Sequence, residues 1–160
     1  MDHIAVIDFE ASSLDGWPVE VGLAWCDGGQ VRVWSSLIRP EPDWDMALWD
    51  MQAEEIHGIT RAQLDDAPDV AQVAAALMGH IGARGLVSDA PGFDQFWLDQ
   101  LLRAAGAGAT PRIEDFHLHA FEHFDRDLAR WRQMQDDLEQ GDIRHRAGAD
   151  AERLLRALTG

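Results

Sequence analysis

The chain has 160 residues, 46% of them hydrophobic, and sets thirteen basic side chains, all arginine, against twenty-nine acidic ones for a net charge of −16. That length and apolar content exclude intrinsic disorder and fit one ordinary domain with its own core. The acidic balance counts against broad, tight binding of long duplexes, whose phosphates favour basic surfaces. The first apolar run, His3 to Phe9, is short, partly β-branched and continuous, which predicts a strand buried on both faces. Val19 to Trp25 predicts a second strand and Val31 to Ile38 a third, with Asp27-Gly28 between them as the hairpin signal. The chain is thus expected to open as an antiparallel meander of three strands.

Arg39 to Trp49, with Pro40, Pro42, Trp44 and Trp49, reads as an irregular crossing segment. Thr60 to Gln63 fits a capping box that opens a short helix. Beyond Pro68, the residues Val70, Val73, Ala74, Leu77, Met78 and Ile81 recur at helical spacing on one face. Gly85 to Ser88 predicts a fourth strand, and Phe93 to Leu102 a further amphipathic helix. Arg112 to Phe116 predicts a fifth strand. The apolar residues from His117 to Leu138 keep the helical period, which predicts one long helix. A final helix follows His145, with Ala147, Ala151, Leu154, Leu155 and Leu158 inward. Three consecutive strands followed by alternating elements imply an α/β fold with one mixed sheet and helices packed on it. No run approaches the roughly 20 apolar residues of a membrane span, and no signal peptide is seen. The single cysteine, Cys26, rules out an internal disulfide. A soluble cytoplasmic protein is expected.

The chemistry is carried by carboxylates. Asp8 and Glu10 are two apart on the first strand, so they share a face while Phe9 points to the core. Two adjacent carboxylates repel, and a divalent cation is the natural offset. Read alone, the pair fits a metal site and a solvated strand end equally well. Asp94, at the start of a helix, reads on its own more readily as a cap than as a ligand. His145 just precedes the last helix and Asp150 lies about one turn into it, so both can face one cleft.

Together, Asp8-Phe9-Glu10, Phe93-Asp94 and His145-Arg-Ala-Gly-Ala-Asp150 have the order and spacing of the three exonuclease motifs of the DEDDh superfamily, and Glu55 to Thr60 resembles a His-Gly-Ile-Thr segment common in its proofreading-type members. The chain resembles polymerase proofreading subunits, ribonuclease T and oligoribonuclease over nearly its whole length. The resemblance implies a ribonuclease H-like fold, with a mixed five-stranded sheet and helices on both faces, as one exonuclease domain spanning 1–160. It also implies a 3′–5′ exonuclease that releases nucleoside 5′-monophosphates from single-stranded RNA or DNA ends. Asp8, Glu10, Asp94 and Asp150 would hold two ions, Mg²⁺ or Mn²⁺, whose preference for oxygen ligands suits this set. His145 would act as general base. Ser12 and Leu14 would contact the terminal nucleotide, with His57 beside them. Without the resemblance, Ser12 is equally a turn residue, Leu14 core and His57 structural. A homodimer is expected from relatives that are dimers.

The second motif departs from the usual His-Asn-x-x-Phe-Asp. Asp89 stands in place of the His and Ala90 in place of the Asn, so an added acid lies near the cleft and an amide is missing. These departures keep a second reading open, a weak or inactive nucleic-acid-binding or regulatory module that retains the fold. Of the seven tryptophans, Trp17, Trp44 and Trp49 lie in loop-like segments and are the candidates for stacking on bases.

Overall fold

The computed structural model describes residues 1–141 and 143–159. Five strands form one sheet: β1 (Ile4–Ala11), β2 (Pro18–Asp27), β3 (Gln30–Leu37), β4 (Gly85–Ser88) and β5 (Ile113–Asp115), in the order β3-β2-β1-β4-β5. β1 pairs antiparallel with β2, and β2 with β3, whereas β1–β4 and β4–β5 are parallel. This is the expected mixed sheet with an antiparallel opening. Gly28 and Gly29, both at positive φ, close the β2–β3 hairpin in two residues, a conformation glycine adopts without a Cβ clash.

The helices are α1 (Met51–His57), α2 (Arg61–Asp65), α3 (Val70–Ile81), α4 (Pro91–Ala104), α5 (Phe116–His123), α6 (Leu128–Gln140) and α7 (Ala147–Thr159). Because β1 is central, its alternating side chains feed two cores. Ala5, Ile7, Phe9 and Ala11 join the core formed with α3 and α4, including Leu77, Leu98 and Leu101. Ile4 and Val6 join the opposite core, with Phe116, Leu154 and Leu155. Asp8 and Glu10 extend the Ile4–Val6 face, which places them under α7. Among the described residues no helix is long and apolar enough to cross a membrane.

Two expectations need correction. The single long helix from His117 to Leu138 is two helices. Asp125 and Arg126 adopt left-handed backbone, and the Asp127 carboxylate then caps α6 by accepting from the Ala129 amide at 2.9 Å. α6 doubles back, so that Trp131 packs edge-on against Phe121 and its indole donates to the His117 carbonyl at 3.0 Å. The apolar period runs through the break because both helices bury a stripe in the same core. The second correction concerns Trp17, Trp44 and Trp49. Trp17 stacks on Trp44 at 5.7 Å and meets Trp49 at 5.5 Å, forming a small core with Ile59 and Leu64. These rings are occupied by one another and are not an open stacking platform. The crossing segment contains a single 3-10 turn, Met46–Leu48, and α1 follows directly after it.

Candidate active site

Asp8 and Glu10 end β1, Asp94 lies in the first turn of α4, and Asp150 lies in the first turn of α7. The fold brings all four together. One carboxylate oxygen from each of Asp8, Glu10 and Asp150 lies within 4.8 Å of the others, and the same holds for Asp8, Asp89 and Asp94. Asp8 belongs to both groups. Asp94 is only 1% exposed, and the Ser88 hydroxyl donates to its carboxylate. Asp150 accepts from the Arg146 amide at 3.2 Å and has Arg153 Nε at 3.7 Å.

Crowding and burial make Asp8, Glu10 and Asp94 hard to ionise. Asp8 is raised well above its ordinary value by desolvation first, then by Asp94, Glu10, Asp89 and Asp150. Glu10 is raised to about 8 by desolvation and by Asp150 and Glu20, against the lowering effect of Arg146. Asp94 is raised to about 7 by desolvation and Asp89, against the Ser88 hydrogen bond and the backbone at Phe9. An oxygen-only donor set whose members repel one another fits divalent cations such as Mg²⁺ or Mn²⁺, whose positive charge would reverse the cost.

Two residues that sequence reasoning passed over hold α7 in place. Glu20, paired with Glu10 in the β1–β2 register, is 3% exposed. It accepts from Arg146 at 2.7 and 3.0 Å in a two-pronged pair, and from the Ala147 amide at 3.0 Å. A Cβ on Gly22 would lie 2.1 Å from the Ala147 carbonyl carbon, so the first turn of α7 can rest on β2 only because that position is glycine. The signal for Glu20 was available: an acid inside the apolar run Val19 to Leu23 needs a partner. Its partner, 126 residues away, was not legible. His145 sits two residues before α7, exposed, with φ 50, between the two arginines whose amides face Asp150.

Beside Glu10 lies a cavity of ≈ 340 Å³, lined by Phe9, Glu10, Ala11, Ser13, Leu14, Asp50, Gln52, Ala53, Ile56, His57 and Trp97. Leu14, 66% exposed, and His57 both lie in its wall. Ser12 does not. It is fully buried, and its hydroxyl accepts from the Trp17 amide at 3.0 Å, so it organises the turn while Ser13 faces the cavity. His57 Nδ1 accepts from the Ile59 amide at 2.9 Å, which leaves the ring proton on Nε2. Burial lowers the pKa of this ring, with the Ala11 backbone acting in the opposite direction, and keeps it neutral. Among the described residues, His57 Nε2 and Trp97 Nε1 are buried without a well-formed partner. On the other side of Asp150 a groove of ≈ 400 Å³ is lined by Arg144, Arg153 and Arg156 together with Asp150 and Glu152, and Arg156 pairs with Glu152.

The sequence matches the family described as Exonuclease, RNase_T, over residues 5–158. The chain belongs to that exonuclease family. Solved structures agree on the fold. A 3′-exonuclease that recognises the histone mRNA stem-loop is similar at 16% identity, TM-score 0.69, over 99% of this chain and 80% of that one. Exonuclease X in complex with 5′ overhanging duplex DNA is similar at 22% identity, TM-score 0.59, over 98% and 88%. Cell-death related nuclease 4 is similar at 14% identity, TM-score 0.68, over 99% and 62%. No curated protein matches the sequence. The family membership makes this protein a nuclease and bears out the expected ribonuclease H-like fold.

Proposed function

We propose that this exonuclease removes nucleoside 5′-monophosphates from the 3′ ends of single-stranded RNA or DNA with two divalent ions, Mg²⁺ or Mn²⁺. The observation that carries the reading is the convergence of Asp8, Glu10, Asp94 and Asp150, remote in sequence, on one cleft. Asp8, Glu10, Asp94 and Asp150 would hold the ions, with Asp8 common to both carboxylate groups. Bound there, the ions supply Lewis-acid activation of water and stabilise the charge that develops on the phosphoryl group.

The protein's own groups do the rest. His145 takes the proton from the attacking water; its exposed place before α7 leaves the ring free to approach the cleft. Glu20 and Arg146 are positioning residues that fix the segment carrying His145 and the helix carrying Asp150. The terminal nucleotide occupies the cavity beside Glu10, with Leu14 against the base and His57 and Trp97 in the cavity wall. The arginine-lined groove next to Asp150 supports an anionic strand in an otherwise acidic protein.

The test is incubation with Mn²⁺ and matched 5′-labelled RNA and DNA oligomers. A ladder that shortens from the 3′ end is expected, and none in excess chelator. His145→Ala should lower turnover by about 10²–10⁴-fold, the usual scale for a general base, with Mn²⁺ binding retained. Equal turnover in the two proteins would remove His145 from the mechanism.

A further inference from the structure

Asp89 has no part in the four-carboxylate scheme, yet it lies inside the cleft. It directly follows β4 and is exposed, and one of its oxygens is within 4.8 Å of oxygens from both Asp8 and Asp94. Asp8 therefore joins two carboxylate triads: one with Glu10 and Asp150, the other with Asp89 and Asp94. The triads differ in what balances them. The first has arginines at its edge, with Arg153 3.7 Å from Asp150. Among the described residues neither Asp8, Asp89 nor Asp94 forms an ion pair, and neither Asp8 nor Asp89 accepts a hydrogen bond. The Ser88 hydroxyl serves Asp94 alone, and Ser88 Oγ in turn accepts from the Ala90 amide at 2.9 Å, which fixes the chain at Asp89.

We propose that Asp89 is a direct ligand of the second divalent cation and completes a three-carboxylate site with Asp8 and Asp94 that fills before nucleic acid arrives. The inference rests on the two-ion reading of the cleft. Mg²⁺ in phosphoryl-transfer sites is commonly held by one or two carboxylates plus the phosphates of the substrate. A third carboxylate adds a full charge and an oxygen, so occupancy no longer depends on the substrate to complete the shell. The charge balance agrees. Five carboxylates against two divalent cations leave a single negative charge, which an entering phosphodiester can tolerate. Without the second cation, Asp89 would repel it.

The experiment is calorimetric titration of Mn²⁺ alone, without nucleic acid, into the full chain as wild type, Asp89→Asn and Asp8→Asn. Wild type is expected to take up two ions. Asp89→Asn should weaken one of them by at least about tenfold and leave the other unchanged, while Asp8→Asn should lose both. An Asp89→Asn isotherm that superimposes on wild type would overturn the inference and leave the nuclease reading intact. A wild type that takes up no Mn²⁺ would overturn both. Because Asp89 is exposed, the variant's unfolding midpoint in chelator should equal or exceed that of wild type, which separates lost ligation from lost fold. If Asp89 only repels substrate, Asp89→Asn would bind oligonucleotide more tightly with unaltered Mn²⁺ uptake, and the proposal would fall.

Discussion

The two walls of the acidic cleft are built differently. On the α4 wall, Ser88 and Asp94 lie six residues apart, across one strand-to-helix turn, and the hydroxyl–carboxylate contact is local. On the α7 wall, Asp150 depends on a helix whose first turn lies flat on β2 at Gly22 and is tied down by the Glu20–Arg146 pair, 126 residues apart in the chain. One wall is therefore set by local chain geometry and the other by tertiary packing. Residues that approach neither metal nor substrate should govern the second wall and have no counterpart on the first.

The largest expected effect comes from Gly22→Ala. The new Cβ would meet backbone atoms of Ala147 and Gly148 at 2.1 to 2.3 Å, and backbone cannot yield as a flexible side chain does. α7 must lift, at a cost of about 3 kcal/mol, the upper part of the range for overpacking. Denaturant unfolding should report that loss, and Mn²⁺ titration should report weakened uptake at the Asp150 side. Gly92→Ala, in the first turn of α4, is the matched control. Nothing lies within 4 Å of its Cβ position, and a helical alanine should add about 0.5–1 kcal/mol. Equal stability in the two variants would erase the distinction between the walls.

Glu20→Gln should come next. It keeps the shape but weakens the two-pronged pair and leaves the Arg146 guanidinium without its counter-charge. Breaking a fully buried pair costs about 3–5 kcal/mol. Arg146 is half-exposed here, so about 2 kcal/mol is expected after allowing for solvent screening. Turnover should fall further than Mn²⁺ affinity, because the segment carrying His145 loses its anchor while Asp150 keeps its helix. An unchanged turnover would confine Glu20 to stability.

The same contrast explains what was legible in the sequence. The strands, α3, α4 and α7 follow from apolar periodicity, and the four carboxylates from the resemblance of three short motifs to those of the DEDDh superfamily. Those are local signals, and the α4 wall is local. The anchoring of α7 is not: Gly22 sits unremarked in a strand and Glu20 reads as one acid among many until the register brings each to its partner. The break between α5 and α6 escaped because periodicity reports which face is buried and not where the axis turns. Ser12 was expected at the substrate but serves the turn, since its hydroxyl accepts from the Trp17 amide. The motif specifies that a small hydroxyl residue is present and leaves its partner open.

The pH response bears on the same comparison, because groups on both walls titrate. Folding raises Glu10 from 4.5 to about 8 and Asp94 from 3.8 to about 7, each chiefly by desolvation. The metal-free fold then binds protons that the unfolded chain has released. The contribution of these two groups to stability is fully present below pH about 4, falls as pH rises, and is gone above about 7 for Asp94 and about 8 for Glu10. In chelator, the thermal midpoint should fall steadily between pH 5 and pH 9. Saturating Mg²⁺ should flatten the profile, because the cation takes the place of the protons. Asp94→Asn should remove the lower step, from the α4 wall, and leave the upper one, from the side shared with α7. The two groups titrate in one crowded cluster, so the steps belong to the cluster as a whole and the remaining one should also move down once a neighbouring charge is gone. A metal-free profile that stays level across this range would mean that the carboxylates are not crowded in solution, and the case for cations between them would lose its physical cause.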